Sequence, residues 1–330
     1  MSAGTAEAGI WLDSLLAPLA PWLEQEDVTD IYINREQEVW VERLGGDTET
    51  YACDALTEPV LMRLARQIAA RSAQGISREH PLLAATLPDG ARVQVVAPPA
   101  TRGPIAIAIR KHVAAKLSLA DYGSTGAFDS LRGGGSAVGR EAELVHLVPE
   151  EALAVLSDAV RARRNILVSG GTSTGKTTFL NALLHEVPRE ERLILIEDTP
   201  ELEIEHLNSI GLLAARSELS EASVSAEDLL IAALRMRPDR IILGELRGKE
   251  AFTFLRSVNT GHPGSMTTIH ADTPARAIEQ LALLVLQSGA QLRWEDVIHY
   301  VRASIDIFVQ LERKGGRRKV AEVLVRRDAA

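Results

Sequence analysis

Near the middle of the chain a short apolar run, NILVSG at residues 165–170, leads directly into GTSTGKTTFL at residues 171–180. Together they hold the pattern Gly170-x-x-x-x-Gly175-Lys176-Thr177. Few local patterns restrict a fold as tightly, because they demand a buried strand, a glycine-rich bend and a helix start in succession. Glycines let backbone N–H groups converge on phosphate oxygens, and the helix N-terminus adds the positive end of its dipole. With ordinary glycine usage, a chance match arises on the order of once in a hundred chains of this length. Gly170, Gly171, Thr172, Ser173, Thr174, Gly175, Lys176, Thr177 and Thr178 are therefore expected to cradle a nucleotide. Lys176 is expected to reach the β- and γ-phosphates, and the Thr177 hydroxyl to ligate Mg²⁺.

The flanking sequence repeats the same alternation. Helical spacing in EEALAVLSDAVRAR precedes the strand of the loop, and KTTFLNALLHEV follows it. Then come RLILIED as a strand, SAEDLLIAALRM as a helix, DRIILGE as a strand, KEAFTFLRSV as a helix and GSMTTIHA as a strand. Short β-branched runs alternating with helices predict a largely parallel sheet covered on both faces. A helix over 274–288 and an antiparallel hairpin turning at Gly315-Gly316 complete this half.

The first third has a different grain. VTDIYINREQEVWVERLGG alternates apolar and polar positions as two strands turning at Asn34-Arg35. TEPVLMRLARQIAARSAQ has helical spacing, ATLPDGARVQVVAPP places two strands around a turn at Pro88-Asp89-Gly90, and PIAIAIRKH is a further strand. The stretch DYGSTGAFDSLRGGGSAVGR is rich in glycine and serine with no apolar period, which reads as linker. The expected division is an α+β domain over 1–114, a Gly/Ser-rich linker over 115–145, and an α/β nucleotide-binding domain over 146–330. Near the start, Trp11, Leu12, Leu15, Leu16, Leu19, Trp22 and Leu23 form an apolar face that is expected to pack on its own domain, with a membrane or partner surface as the alternative.

Chemistry needs carboxylates at strand ends. Glu197-Asp198 closes RLILIED, and Glu245 closes RIILGE, where Gly244 takes the position at which many phosphate-loop enzymes carry the Mg²⁺-holding Asp. Glu245 is expected to orient the Mg²⁺ shell and Glu197 to polarise the attacking water, an assignment the residues leave open to exchange. His270, at the end of GSMTTIHA, is a candidate γ-phosphate sensor, with Thr267 and Thr268 expected on the same nucleotide edge. His262 and His270 lack the spacing of a zinc site.

Bulk properties narrow the class. A net charge of −9 and 4% aromatic residues argue against a dedicated nucleic-acid binder, which needs a basic face and stacking surfaces. They leave a basic pore or patch open, so a nucleic-acid translocating motor stays as an alternative of a different class and nucleic acid as an open partner. The single Cys53 excludes an internal disulfide framework. The N-terminus lacks the basic cluster and long apolar core of a signal peptide, and no apolar run reaches the roughly 20 residues that span a bilayer, so any membrane association is expected to be peripheral. A small-molecule kinase would need an arginine-rich acceptor lid, which LNSIGLLAARSELSEASVSAEDLL does not offer. A non-hydrolysing scaffold is disfavoured by the intact Lys176, Thr177, Glu197 and Glu245.

GGTSTGKTT, LIEDTPEL, LRMRPDRIILGELRG and NTGHPGSMTTIHA, in that order, resemble the phosphate loop, acidic box, modified second acidic strand and histidine box of the type II/type IV secretion ATPases. LPDGARVQVVAPPATRGPIAIAIRKH is similar to the N-terminal domain of the type IV branch, with the type II secretion and type IV pilus ATPases as the alternative. The resemblance implies a RecA-like ATPase domain behind a smaller α+β domain, ATP and Mg²⁺ as cofactors, and a homo-hexamer at the cytoplasmic face of the bacterial inner membrane. Implied partners are the inner-membrane and cytoplasmic components of a secretion channel, other secretion ATPases among them. Glu197 and His270 match residues of the acidic and histidine boxes, Glu245 the Mg²⁺-side carboxylate, and Arg92 and Arg110 the arginines that contact nucleotide phosphates, with Arg102 a weaker match.

Overall fold

In the N-terminal third, the inner strands alternate apolar with polar or half-exposed residues, and the strands pair accordingly. The computed structural model describes residues 12–44, 46–72, 74–111, 117–132, 144–214, 224–314 and 317–327. The chain divides into two compact units, residues 1–114 with 215–223, and residues 115–214 with 224–330.

The first unit is built on a six-stranded sheet, β1 (Val28–Ile33), β2 (Glu38–Arg43), β3 (Thr48–Ala52), β4 (Leu82–Thr86), β5 (Arg92–Val96) and β6 (Ala106–Arg110), in the order β3-β2-β1-β6-β5-β4. All neighbours are antiparallel. Ile31, Ile33, Val93, Val95, Ile107 and Ile109 turn to one face and meet Leu61, Leu64 and Ile68 of the Glu58–Arg71 helix. Leu12 and Leu19 are buried in that core, with Leu15, Leu16, Trp22 and Leu23 packed against it, so the apolar face near the start is consumed by its own unit. Trp11 lies outside the described residues.

The second unit carries an eight-stranded sheet in the order β10-β9-β11-β12-β8-β13-β14-β7. Its strands are β7 (Leu144–His146), β8 (Ile166–Gly170), β9 (Leu193–Glu197), β10 (Ser209–Leu213), β11 (Arg240–Leu243), β12 (Met266–Ile269), β13 (Ile307–Lys314) and β14 (Arg317–Arg326). From β10 to β13 all pairings are parallel, while β14 runs antiparallel to β13 and β7. Every residue of β8, β9, β11 and β12 is buried, because helices cover both faces. One core joins Val168, Leu195, Ile242 and Val309 to Leu156 and Phe179; the other joins Leu167, Ile194, Leu243 and Phe308 to Phe254, Ile278 and Val301. At the strand ends away from the loop, the fully buried Arg240 grips Glu191 with two hydrogen bonds of 2.7 and 2.9 Å and donates to the Val160 carbonyl.

The Gly/Ser-rich stretch differs from expectation. Residues 117–132 are not linker: Ser118 caps a helix over Leu119–Ser124, and Leu119, Tyr122, Phe128 and Leu131 are buried in the core of the second unit. Backbone bonds tie this segment to β14, Val320 N–H to the Ala127 carbonyl at 3.0 Å and Arg132 N–H to the Ala321 carbonyl at 2.8 Å. Few apolar residues suffice because the groove beside β14 supplies the rest of the core, so no helical period is needed. Residues 133–143 and the hairpin tip Gly315-Gly316 lie outside the described residues.

Candidate functional site

Parallel strands deliver their carboxyl ends to one edge, which is where open α/β sheets bind ligands. At that edge β8 passes into the loop and the Lys176–Leu184 helix. Gly175, at φ +89°, makes the bend in a left-handed conformation that favours glycine. A Cβ on Gly170 would lie 2.4 Å from Thr174 Oγ1, so the loop closes only around glycine there. Thr174 is buried and donates to the Gly171 carbonyl at 2.9 Å, whereas Thr172 and Ser173 are exposed. The result is a cradle of main chain capped by Lys176, whose Nζ donates to the Gly170 and Gly171 carbonyls at 3.1 and 3.3 Å.

Around that ammonium the neighbouring strands place a charged row. Glu245 Oε1, just beyond β11, stands 3.6 Å from Lys176 Nζ. Arg247 donates from Nε to Glu245 Oε2 at 2.5 Å and reaches Asp198 Oδ2 at 3.1 Å. Burial holds the Lys176 ammonium below the usual lysine range; Glu245 opposes this and Arg247 adds to it. A site that desolvates a cation without fully neutralising it is prepared for an anion.

Glu197 ends β9 and is buried, its Oε1 accepting the backbone N–H groups of Glu201 and Leu202 at 2.8 and 2.7 Å. Gly244 lies against Glu197: a Cβ at that position would stand 3.4 Å from Glu197 Cγ and 3.6 Å from the Ile196 carbonyl, an ordinary contact distance. The loop that Glu197 holds brings in Glu201, a residue of the quoted acidic box to which the sequence assigned no role. Glu201 Oε2 accepts the Thr177 hydroxyl at 3.1 Å, and the Glu201 carbonyl accepts Asn181 Nδ2. With its hydrogen directed to Glu201, the Thr177 oxygen keeps lone pairs for a cation, so the donor set of Thr177, Glu201 and Glu245 suits Mg²⁺. Glu201 and Arg247 fall inside the quoted acidic box and modified strand without having been given a role there. The carboxylates Asp198 and Glu245 were legible as strand ends, and only the fold, which brings β11 beside β9, joins them through Arg247.

His270 follows β12 and is exposed at this edge. Thr267 and Thr268 do not share it: both are buried within the sheet, and Thr268 Oγ1 donates to the Gly244 carbonyl at 2.8 Å. Side chains alternate across the two covered faces, which sets Thr267 apart from Thr268 and His270, and burial keeps Thr268 within the sheet. His262 sits before β12, its Nδ1 3.2 Å from the Pro238 carbonyl, and belongs to the opposite strand ends. His185 lies between Glu203 and Glu205, with a different ring nitrogen 3.6 Å from each carboxylate.

In the first unit, Arg110 and Arg92 face each other across β6 and β5, while Asp30 faces Arg110 from β1. Arg110 Nε donates to Asp30 Oδ1 at 2.8 Å, and this bond pushes its pKa up. Arg102 lies exposed between β5 and β6.

The family described as Type II/IV secretion system protein matches residues 14–317. Over 324 residues the chain is 39% identical to the type IV secretion system protein VirB11 of Bartonella henselae, spanning 93% of this chain and 91% of that one. It is 38% identical over 327 residues to the type IV secretion system protein PtlH of Bordetella pertussis, spanning 96% and 95%. Among solved structures, the VirB11 ATPase of the Brucella suis type IV secretion system, in complex with sulphate, is 35% identical, covers 96% of this chain and 98% of its own, and has a TM-score of 0.50. The Legionella pneumophila ATPase DotB, 18% identical with a TM-score of 0.61 over 96% of this chain and 80% of that one, shares the fold. With a phosphate loop set among strand-end carboxylates and likeness running nearly end to end, the chain belongs to the type II/IV secretion system protein family, among its VirB11-like type IV secretion ATPases.

Proposed function

We propose that this ATPase hydrolyses Mg²⁺-ATP at the β8 loop and works as a homo-hexamer at the cytoplasmic face of the bacterial inner membrane. There it would drive channel or pilus assembly and substrate transfer in a type IV secretion system. The observation that carries the reading is the partly desolvated Lys176 ammonium, held over a glycine cradle 3.6 Å from Glu245. No helix among the described residues is long and apolar enough to cross a membrane, which suits a peripheral partner of inner-membrane channel components and other secretion ATPases.

Each residue then has a role. The amides of Gly171 through Thr178 bind phosphate oxygens, and Lys176 exchanges the carbonyls of Gly170 and Gly171 for the β- and γ-phosphates. Thr177 with the Glu245 and Glu201 carboxylates would hold Mg²⁺, which would supply charge neutralisation to the phosphates. Glu197, its Oε1 held by the Glu201 and Leu202 N–H groups, orients the attacking water and takes up its proton on the other carboxylate oxygen. His270, exposed at the same edge, senses the γ-phosphate. Arg92 and Arg110 supply positive charge to the transferring phosphoryl group, an effect worth about 10³ to 10⁵ in rate for arginines of this kind.

Phosphate release from ATP by the full chain tests the reading, with EDTA and Lys176→Ala as controls. Release should be lost in both controls; undiminished release in Lys176→Ala overturns the site. Native mass measurement with a non-hydrolysable ATP analogue tests the ring, and a protein that stays monomeric overturns it.

A further inference from the structure

The β13–β14 hairpin ends beside the phosphate loop. A Cβ built on Gly175 would lie 2.9 Å from Arg318 Cδ, 3.4 Å from its Nε and 3.7 Å from one terminal nitrogen. Arg318 is half-buried against the loop bend, and no ion pair joins it to a carboxylate among the described residues. Its cross-strand partner is Arg313, an opposition of like charges that a hairpin bears at a cost. Tyr122 borders the same space: its ring stands edge-on to Phe179 with centroids 5.0 Å apart, and the Arg318 charge is felt at its hydroxyl.

Sheet order says which part of a nucleotide this guanidinium meets. β8 lies between β12 on one side and β13 on the other. The carboxylates of β9 and β11 and His270 of β12 all stand on the β12 side, which is therefore the side of the γ-phosphate. A nucleotide with its phosphates in the cradle must send its nucleoside in the other direction, toward β13 and β14.

Resting on the hydrolytic reading above, we propose that Arg318 holds the nucleoside end of the bound nucleotide, its guanidinium plane lying on the base. A planar, weakly hydrated cation suits a π-face, and the aliphatic stem lying against Gly175 keeps it in place. With no ion pair to a carboxylate among the described residues, the charge opposite Arg313 finds its compensation there.

The test is calorimetric titration of the full chain with ADP and, separately, with inorganic tripolyphosphate, which has no nucleoside. Arg318→Ala should weaken ADP about tenfold and leave tripolyphosphate within about twofold. Arg318→Lys keeps the charge without the plane and should stay weakened. Arg317→Ala, an exposed neighbour on the same strand, should bind both ligands as the wild type does. Unchanged ADP affinity in Arg318→Ala overturns the inference, as does equal weakening of tripolyphosphate or full recovery with lysine. Lys176→Ala separates the two readings: if it loses both ligands while Arg318→Ala loses neither, the hydrolytic site stands and the contact at Arg318 falls.

Discussion

Lys176 is only 12% exposed at its side chain, so its charge is held out of water until an anion arrives. Because burial lowers its pKa and a phosphate oxygen beside it would raise it again, the bound state holds the proton more tightly than the free state. Nucleotide affinity should therefore fall as pH rises through the depressed free-state pKa, and titrations of ADP across alkaline pH should show log Kd climbing with a slope approaching one. A flat profile would mean that phosphate does not meet this ammonium. Glu197 offers a second measurement. Glutamine at 197 can still accept the Glu201 and Leu202 N–H groups through its amide oxygen, but it cannot take a proton. Glu197→Gln should keep ADP affinity within about twofold and lower turnover by about 10² to 10⁴. If turnover is unchanged, Glu197 is a loop anchor alone. The motif marked Lys176 and Glu197 directly, since strand ends are legible. Glu201 sits in the quoted acidic box but was given no role, because only the fold turns its loop onto Thr177. Arg318 carries no mark at all, because it reaches the site from a hairpin distant in sequence.

Among elements, the strands and helices around β8 follow from apolar period, and the Leu119–Ser124 helix shows where period fails. Its segment has too few apolar residues to announce itself, yet Phe128 is 4% exposed and Tyr122 stacks edge-on to Phe179. Burial pushes the Tyr122 hydroxyl up to about 12, so it stays neutral at ordinary pH. Phe128→Ala should cost the second unit about 3 to 5 kcal/mol in denaturant unfolding. A linker residue would cost nothing. β10 was also silent: Ser-Ile-Gly-Leu-Leu at a sheet edge is half-exposed, and its glycine interrupts the apolar run that marks the inner strands. Edge strands need only one satisfied neighbour, so their sequences are free to drift from the buried pattern.

For the molecule as a whole, the two units have cores of opposite design. The first is an antiparallel sheet with a helix on one face, so its strands alternate; the second is sandwiched, so its central strands are apolar throughout. Coupling between hydrolysis and movement is carried in the proposal by charge from the first unit. Arg110→Ala should preserve ADP binding while lowering turnover about 10³-fold. Asp30, 10% exposed at its side chain, would lose its partner, so turnover is best compared below the variant's melting temperature. Equal turnover in the two proteins would remove Arg110 from the reaction.

From residue types and spacing alone came the phosphate loop, the carboxylates that end β9 and β11, and the alternation that builds a covered parallel sheet, because each is a local demand of backbone geometry or burial. Tertiary structure alone decided that Thr177 gives its hydrogen to Glu201, that Gly244 lies against Glu197, and that Arg318 rests on Gly175. Those contacts join positions far apart in the chain, and they exist only once sheet order has set β13 and β14 on one side of β8 and β12, β11 and β9 on the other.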